Sequence, residues 1–368
     1  MSLPKDIARI QACISNALDR DGIGNKQITG VIGDTPSTYS KSPALWNGAF
    51  RALRLGIAYL PFDVHESRLQ TLVRALRESD RVMGVSVTVP YKTKIMEHLD
   101  ELDAKAKQIK AVNTIVRTGD GRLVGYNTDG KGLLESILRP QPGQARALME
   151  TLSGIDVLLI GAGGAARSVA FYLAEVLKNG GLIICNRMPR TAFSLAEQIK
   201  EAFGNASAIE EDEIGRWAPK VGLIINCSTK GQGGIRKSAE GKIMILEPYS
   251  ALAPANPAAL EESEPEFYRN WLRASLADIE ANNRVSWNLA LSIPQEAAFC
   301  DLIYHPEETV FLRHGRLSGH RTLNGKGMLI AQAADALFDK ICREHLHKAG
   351  LDNSSTYQRV LATMYDSW

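Results

Sequence analysis

Two stretches carry residue types at spacings that could do chemistry. The first is VLLIGAGGAAR, Val157 to Arg167, which sets Gly161, Gly163 and Gly164 in a turn after a buried apolar strand and before a helix. In that context glycines let the backbone approach a pyrophosphate, and the helix N-terminus stabilises its charge. Ala165 belongs to the same cofactor-binding turn, and the small Ala166 allows close helix packing. The next strand, LIICNR, ends on Asn186 and Arg187, with Arg190 close by. A carboxylate there would pair with the ribose hydroxyls of NAD, whereas a planar, permanently charged guanidinium suits a 2′-phosphate. The reading is a dinucleotide site that prefers NADP over NAD. The second stretch is GVSVTVPYK, Gly84 to Lys92, an apolar strand followed by Pro90, Tyr91 and Lys92. By itself, Lys92 reads equally as the solvated end of a strand or as a charge held over a site.

The elements that must position these residues alternate. Ile28 to Gly33, Gly56 to Val64 and Val82 to Pro90 are short β-rich runs, separated by SPALWNGAFRAL and ESRLQTLVRALRES with helical apolar spacing. Ser42 and Pro43 give one of these helices an N-cap and a proline at its first position. The order predicts parallel strands joined by crossover helices. AVNTIV and RLVGYNTD follow as strands, the second ending at Asp129. From Asp156 a second βαβ unit runs through DVLLI, the glycine turn, a helix, LIICNR, another helix and LIINC. From about 233 to 285 the chain becomes rich in Pro and Glu. Phe267, Tyr268, Trp271, Leu272, Leu276 and Ile279 fall there at helical spacing, which predicts an ordered insert that buries aromatics. AFCDLIYHP resumes as a strand and MLIAQAADALFDKICREHL as a final long helix, followed by a polar tail with an apolar patch at Val360 and Leu361.

Composition narrows the classes. The 368 residues suffice for two domains, 45% of them hydrophobic and 23% charged, as in a soluble protein with a real core. A net charge of +2 gives no broad attraction to nucleic acid or membrane, and no segment has the length of a membrane span. The amphipathic N-terminus, MSLPKDIARIQACISNALDR, reads as a helix rather than a signal peptide. Five scattered cysteines and seven histidines show neither a disulfide framework nor metal-ligand spacing, so the expectation is reduced thiols, a cytoplasmic location and no metal.

Taken in order, further short motifs carry a resemblance. They are YSKSP at Tyr39 to Pro43, VTVPYK at Val87 to Lys92, AVNT at Ala111 to Thr114 and NTDG at Asn127 to Gly130. GAGGAAR, NR at Asn186, NCS at Asn226, D.IY.P..T from Asp301 and NG..ML..Q from Asn324 continue the series. Together they resemble the shikimate dehydrogenases of the shikimate/quinate dehydrogenase superfamily, over nearly the whole chain apart from the insert and the two ends. The resemblance implies a two-domain α/β fold, an N-terminal substrate domain plus a Rossmann-type dinucleotide-binding domain. Residues 1–130, completed by C-terminal helices in 320–368, would bind substrate; 131–319, with the insert at about 233–285, would bind NADP. It implies that Ser40 and Ser42 hold a substrate carboxylate, that Thr88, Asn113, Asp129 and Gln332 hydrogen-bond ring hydroxyls, and that Lys92 and Asp129 are the catalytic pair. Tyr304 would lie near substrate and nicotinamide, and Met328 beside them on the cofactor side.

The implied reaction is the reversible, NADP-dependent oxidation of shikimate to 3-dehydroshikimate. Removing hydride from a secondary alcohol requires a group in hydrogen-bond reach to take its proton; whether lysine or aspartate does so is open at this stage. Quinate or another shikimate-like ring acid is the alternative substrate, and a non-catalytic ligand-binding regulator on the same scaffold a further one. Tyr39, Trp46, Ser86, Gln232 and Thr191 replace the residues usual in the family, and bear on the ring accepted more than on the reaction. The insert follows a strand's carboxyl end, where loops face the ligand crevice, so it is a candidate lid or partner surface, with an external subdomain as the alternative. The expected partner is a small-molecule substrate, with no nucleic acid or membrane and a possible homodimer.

Overall fold

The first β-rich runs form β1 (Gln27–Gly33), β2 (Ile57–Asp63) and β3 (Gly84–Val87), followed by β4 (Glu101–Leu102), β5 (Thr114–Arg117) and β6 (Leu123–Tyr126). In the computed structural model, which describes residues 4–233, 235–237, 243–245, 248–256 and 266–368, these strands make one sheet in the order β2-β1-β3-β5-β6-β4. The first three strands are parallel as expected, β1 pairing with β2 and β3, but the sheet is mixed because β5 runs antiparallel to both β3 and β6. The short segment between β5 and β6, with Gly121 at φ +85°, turns the chain straight back on itself and leaves no length for a crossover.

The described residues fall into two compact units. The first holds 4–132 and 330–368; the second holds 133–237 and the described residues of 243–329. In the first unit the N-terminal pattern makes a helix only over Lys5–Gln11, burying Ile7 and Ile10. Beyond it, the Asn16 side chain pairs with the β2 backbone, donating to Pro61 O and accepting from Asp63 N. The helix Ser42–Ala52 lies on β1 and β2 with Trp46 against Tyr59, ring centroids 4.7 Å apart. Ser42 is its first residue and makes no side-chain capping bond, so the expected N-cap role is not observed.

The expected single long helix near the C-terminus is three pieces. Lys326–Asp335 is α-helical, Ala336–Ile341 is a π-helical turn, and Arg343–Lys348 resumes the α-helix. The Cys342 N–H donates to Leu337 O at 2.9 Å, five residues back, which is the wider spacing of such a turn. The polar tail is also helical, over Ser354–Asp366. Asn353 caps it by accepting from Thr356 N, and Thr356, Val360 and Met364 form its buried stripe. It packs on Ser42–Ala52, where Gly48 leaves room for Ser367.

The second unit contains β7 (Val157–Ile160), β8 (Leu182–Cys185), β9 (Ala206–Ile209) and β10 (Leu223–Asn226). A two-stranded antiparallel ribbon, β11 (Ile235–Lys237) with β12 (Ile243–Ile245), precedes β13 (Ala298–Asp301) and β14 (Arg321–Leu323). The main sheet is parallel throughout, in the order β14-β13-β10-β7-β8-β9. Counted from β7, this is the 3-2-1-4-5-6 order of doubly wound dinucleotide-binding sheets, with the switch point between β7 and β10. The strands are buried on both faces and read as continuous Leu, Ile and Val runs for that reason.

The insert lies partly outside the described residues. Its described part includes the helix Phe267–Ser292 and the segment 248–256, tied together when Asn282 Nδ2 donates to the carbonyls of Ser250, Ala253 and Pro254. Trp271 and Ile279 are buried with Tyr249 and Ala255. Tyr268 and Leu276, expected to be buried with them, are 38% and 50% exposed. The buried stripe of the helix is Trp271, Ser275, Ile279, Asn282 and Ser286, which points Leu276 outward.

Candidate active site

Tyr91 anchors the stretch that ends in Lys92. Its ring is buried and its hydroxyl donates to Val64 O at 2.8 Å. The Lys92 carbonyl accepts from Val112 N at 2.7 Å, which ties the lysine to the start of β5. Lys92 is therefore not a solvated strand end. Its side chain is 16% exposed, and Nζ donates to Asp129 Oδ2 at 2.6 Å, with the aspartate side chain 7% exposed.

Asp129 opens the helix Asp129–Leu138, its N–H bonded to Asn127 Oδ1 at 3.1 Å; Asn127 in turn donates to Ala111 O at 2.9 Å. Its second carboxylate oxygen accepts from Asn113 Nδ2 at 2.8 Å. Asn113 is buried, and Nδ2 also lies 2.9 Å from Thr128 Oγ1 and 3.2 Å from Gln332 Oε1. Asn113 Oδ1 accepts from Thr128 N and from Thr114 Oγ1, each at 2.9 Å. Lys92, Asn113, Asp129 and Gln332 thus meet in one polar network of the first unit, although Gln332 is 219 residues from Asn113. Thr128 and Thr114 belong to the same network and are not singled out by the sequence reading. The signal is present, since Thr128 sits inside NTDG and Thr114 inside AVNT.

Ser40 and Ser42 lie at the start of the helix over β2. Ser40 Oγ accepts from Ser42 N at 3.2 Å, so the cap-like bond belongs to Ser40, while the Ser42 side chain is buried without that duty. Thr88 continues the β1 ladder through its N–H to Ile32 O, and Gly33 allows it to come close: a Cβ on Gly33 would stand 2.6 Å from Thr88 Cγ2. Thr88 falls two residues after Ser86 and so shares its face of the sheet.

In the second unit Gly161 has φ +118°, and a Cβ there would lie 2.8 Å from the Cys227 carbonyl carbon. Only glycine fits where β7 passes β10 at the switch point. A Cβ on Gly163 would meet nothing within 4 Å, leaving open space before the helix Gly164–Leu177, whose first turn no side chain caps. Ala165 is half-buried in that turn, and Ala166 is fully buried beneath it. Asn186 Nδ2 donates to Met188 O at 3.1 Å and holds the chain past β8. Arg187 and Arg190 are exposed, and neither makes an ion pair among the described residues. Open backbone at a helix start fits the pyrophosphate of NADP, and two exposed guanidiniums fit its 2′-phosphate.

Tyr304 and Met328 also belong to the second unit, Tyr304 half-buried after β13 and Met328 buried. The motif residues Asn226, Asp301 and Thr309 form a buried knot there. Asp301 Oδ1 accepts from Asn226 Nδ2 at 3.0 Å and Ile303 N at 2.9 Å, and Oδ2 accepts from Thr309 Oγ1 at 2.7 Å. Burial pushes the Asp301 carboxyl up to about 7 against the pull of those hydrogen bonds. Lys230, within the altered NCSTKGQ motif, is buried as well, donating to Glu211 at 2.8 Å and Ala253 O at 3.0 Å. It ties the loop after β10 to the segment 248–256.

Residues 31–115 match the model of the shikimate dehydrogenase substrate-binding domain. The chain is 34% identical to the shikimate dehydrogenase (NADP(+)) of Desulforamulus reducens over 84% of its own length and 88% of that protein. The chain belongs to the shikimate dehydrogenase family. A second member, from Carboxydothermus hydrogenoformans, is also 34% identical, over 86% of this chain and 92% of that one. Among solved structures, a shikimate dehydrogenase in complex with NADP+ is 28% identical with a TM-score of 0.64, covering 93% of this chain and 95% of its own. The Thermus thermophilus shikimate 5-dehydrogenase in complex with NADP(H) and shikimate is 26% identical with a TM-score of 0.62, covering 93% and 99%. The two-domain shikimate dehydrogenase architecture therefore extends over nearly the whole chain.

Proposed function

We propose that this protein is an NADP-dependent oxidoreductase that interconverts shikimate and 3-dehydroshikimate. The observation that carries the reading is the sheltered contact of Lys92 Nζ with Asp129 Oδ2 at 2.6 Å, with Asn113 on the other carboxylate oxygen. A lysine and a carboxylate fixed this way form a proton-handling pair, and relatives similar over most of this chain carry NADP in their names.

On this reading the first unit is the substrate domain. Ser40 and Ser42 hold the carboxylate of the ring acid by donating without adding charge. Thr88, Asn113 and Gln332 hold ring hydroxyls, and Lys92 and Asp129 face the hydroxyl that reacts. NADP, when bound, supplies the hydride acceptor or donor. As the alcohol carbon gives up its hydride, the hydroxyl proton passes to the Lys92–Asp129 pair. In the reverse direction the Lys92 ammonium donates to the forming alkoxide, and Asp129 keeps the ammonium aimed by holding it from one side. The second unit is the NADP domain. Gly161, Gly163, Gly164 and Ala165 would cradle the pyrophosphate, Asn186, Arg187 and Arg190 the 2′-phosphoribose end, and Tyr304 and Met328 the nicotinamide side.

The same reading makes the enzyme cytoplasmic, with a small-molecule substrate as its partner, no nucleic acid, and assembly as a homodimer. No helix among the described residues is long and apolar enough to cross a membrane. The test is steady-state turnover of shikimate, quinate and their 3-dehydro products with NADP and with NAD. The expected result is turnover of shikimate with NADP; no turnover of shikimate would overturn the assignment.

A further inference from the structure

Tyr59 is one of three residues of the first unit, with Thr29 and Arg77, that bury a side-chain polar atom without a hydrogen-bond partner among the described residues. It lies on β2, 1% exposed, with Trp46 against its ring and both backbone groups bonded to the Asn47 side chain at 2.9 Å. Its position is thus fixed without its hydroxyl. That hydroxyl is fully buried and makes no hydrogen bond of good geometry. Two hydroxyls, those of Ser42 and Ser86, lie near enough to favour the phenolate, although burial dominates and holds the phenol well above its ordinary range. Strand register agrees. Thr29 faces Tyr59 and Val31 faces Ser86 across β1, so Tyr59, Ser86 and Thr88 project from one face of the sheet, the face under the helix that starts at Ser42. A buried phenol with no partner, close to Ser86 and to Ser42, the latter proposed to hold the substrate carboxylate, is a donor waiting for an acceptor chain to be completed.

We propose that Tyr59 is a positioning residue for the acid end of the substrate, acting in a chain in which Ser86 Oγ donates to Tyr59 Oη, Tyr59 donates to Ser42 Oγ, and Ser42 donates to the substrate carboxylate. The direction follows from the hydrogens. A carboxylate accepts only, so Ser42 must give it its single hydrogen, and the Ser42 oxygen is then free to accept from the phenol. Each bond polarises the next, and the anion at the end strengthens all of them. The chain also gives Ser86, one of the departures from the family pattern, a role in recognition of the carboxylate. The proposal rests on the shikimate reading given above.

The test is Tyr59→Phe, which removes one oxygen and keeps the ring against Trp46. The KM for shikimate is expected to rise about tenfold, the weight of one hydrogen bond coupled to an anion. The kcat and the KM for NADP+ are expected to stay within about twofold, since neither the proton pair nor the cofactor is touched. The methyl ester of shikimate, which lacks the anion, should show the same KM with both enzymes. The melting temperature should not fall, because the hydroxyl has no partner to lose. A shikimate KM within twofold of wild type, or an equal rise for acid and ester, would overturn the proposal alone. Absence of shikimate turnover by the wild-type enzyme would overturn the functional reading and this proposal with it. Should Tyr59→Phe fail to fold, Ser86→Ala breaks the outer link of the same chain, and a raised KM for the acid but not the ester is again required.

Discussion

Replacing Asn113 by alanine is the perturbation that the polar network makes most costly for its size. The side chain satisfies Asp129 Oδ1, Thr128 N and Thr114 Oγ1, all in buried or nearly buried surroundings. The bond to the charged carboxylate contributes about 1.5–3 kcal/mol, and each of the two neutral bonds about 1 kcal/mol. Alanine leaves these groups buried without replacing them, so the unfolding free energy should fall by about 4 kcal/mol. Catalysis should suffer separately. With one oxygen released, Asp129 is held only by Lys92, and a loss of orientation equal to that one bond lowers kcat by about 10- to 100-fold. The assay is urea unfolding, requiring an unchanged slope, alongside NADPH absorbance during shikimate oxidation at saturating substrate. A stability loss under about 1 kcal/mol with near wild-type kcat would refute the reasoning, since the amide would then organise neither the fold nor the carboxylate.

Three further variants address other parts of the account. Gly161→Ala places a Cβ 2.8 Å from the Cys227 carbonyl carbon at φ +118°; NADP affinity measured by calorimetry should drop at least about tenfold, and unchanged affinity would contradict the switch-point geometry. Arg187→Ser combined with Arg190→Ser should lower the ratio of kcat/KM for NADP over NAD by about 100-fold, as two charge-assisted phosphate contacts are removed; an unchanged ratio would leave the cofactor preference without its proposed cause. Asp301, raised to about 7, binds its proton more tightly in the folded than in the unfolded protein, so its contribution to stability is greatest at low pH and declines as pH rises through the window from about 4 to 7. Asp301→Asn should flatten that decline in urea unfolding at pH 5 and pH 7.5, and an unchanged slope would show that the carboxyl is not the titrating group.

The glycine turn is legible in the sequence because its requirements are local: a strand, a tight bend and a helix within a dozen residues. The doubly wound order follows from uninterrupted Leu and Ile runs that only a sheet covered on both faces tolerates. What sequence pattern misses is non-local. The antiparallel pairing of β5 with β3, which sets Gly84 opposite Val116, joins residues far apart in the chain and is not written in the composition of β5. The helix Ser354–Asp366 has a weakly apolar stripe, legible only once Ser42–Ala52 is there to cover it. Ordered motifs mark Lys92 and Asp129 but not the roles of Thr128 and Tyr59, because a threonine and a tyrosine in or beside strands ordinarily fill space. Asp301 shows the reverse: a residue in a recognised motif that holds a loop and a helix cap together.

The central claim is that Lys92 and Asp129 form the proton-handling pair, and Lys92→Ala tests it most directly. Turnover of shikimate with NADP+ should fall at least about 1,000-fold, in keeping with the loss of a general acid–base group. Affinity for NADP+ measured by calorimetry on the same preparation should remain within about twofold, because the proposed cofactor contacts lie in the other unit. A Lys92→Ala enzyme that keeps kcat within about tenfold of wild type would contradict the account.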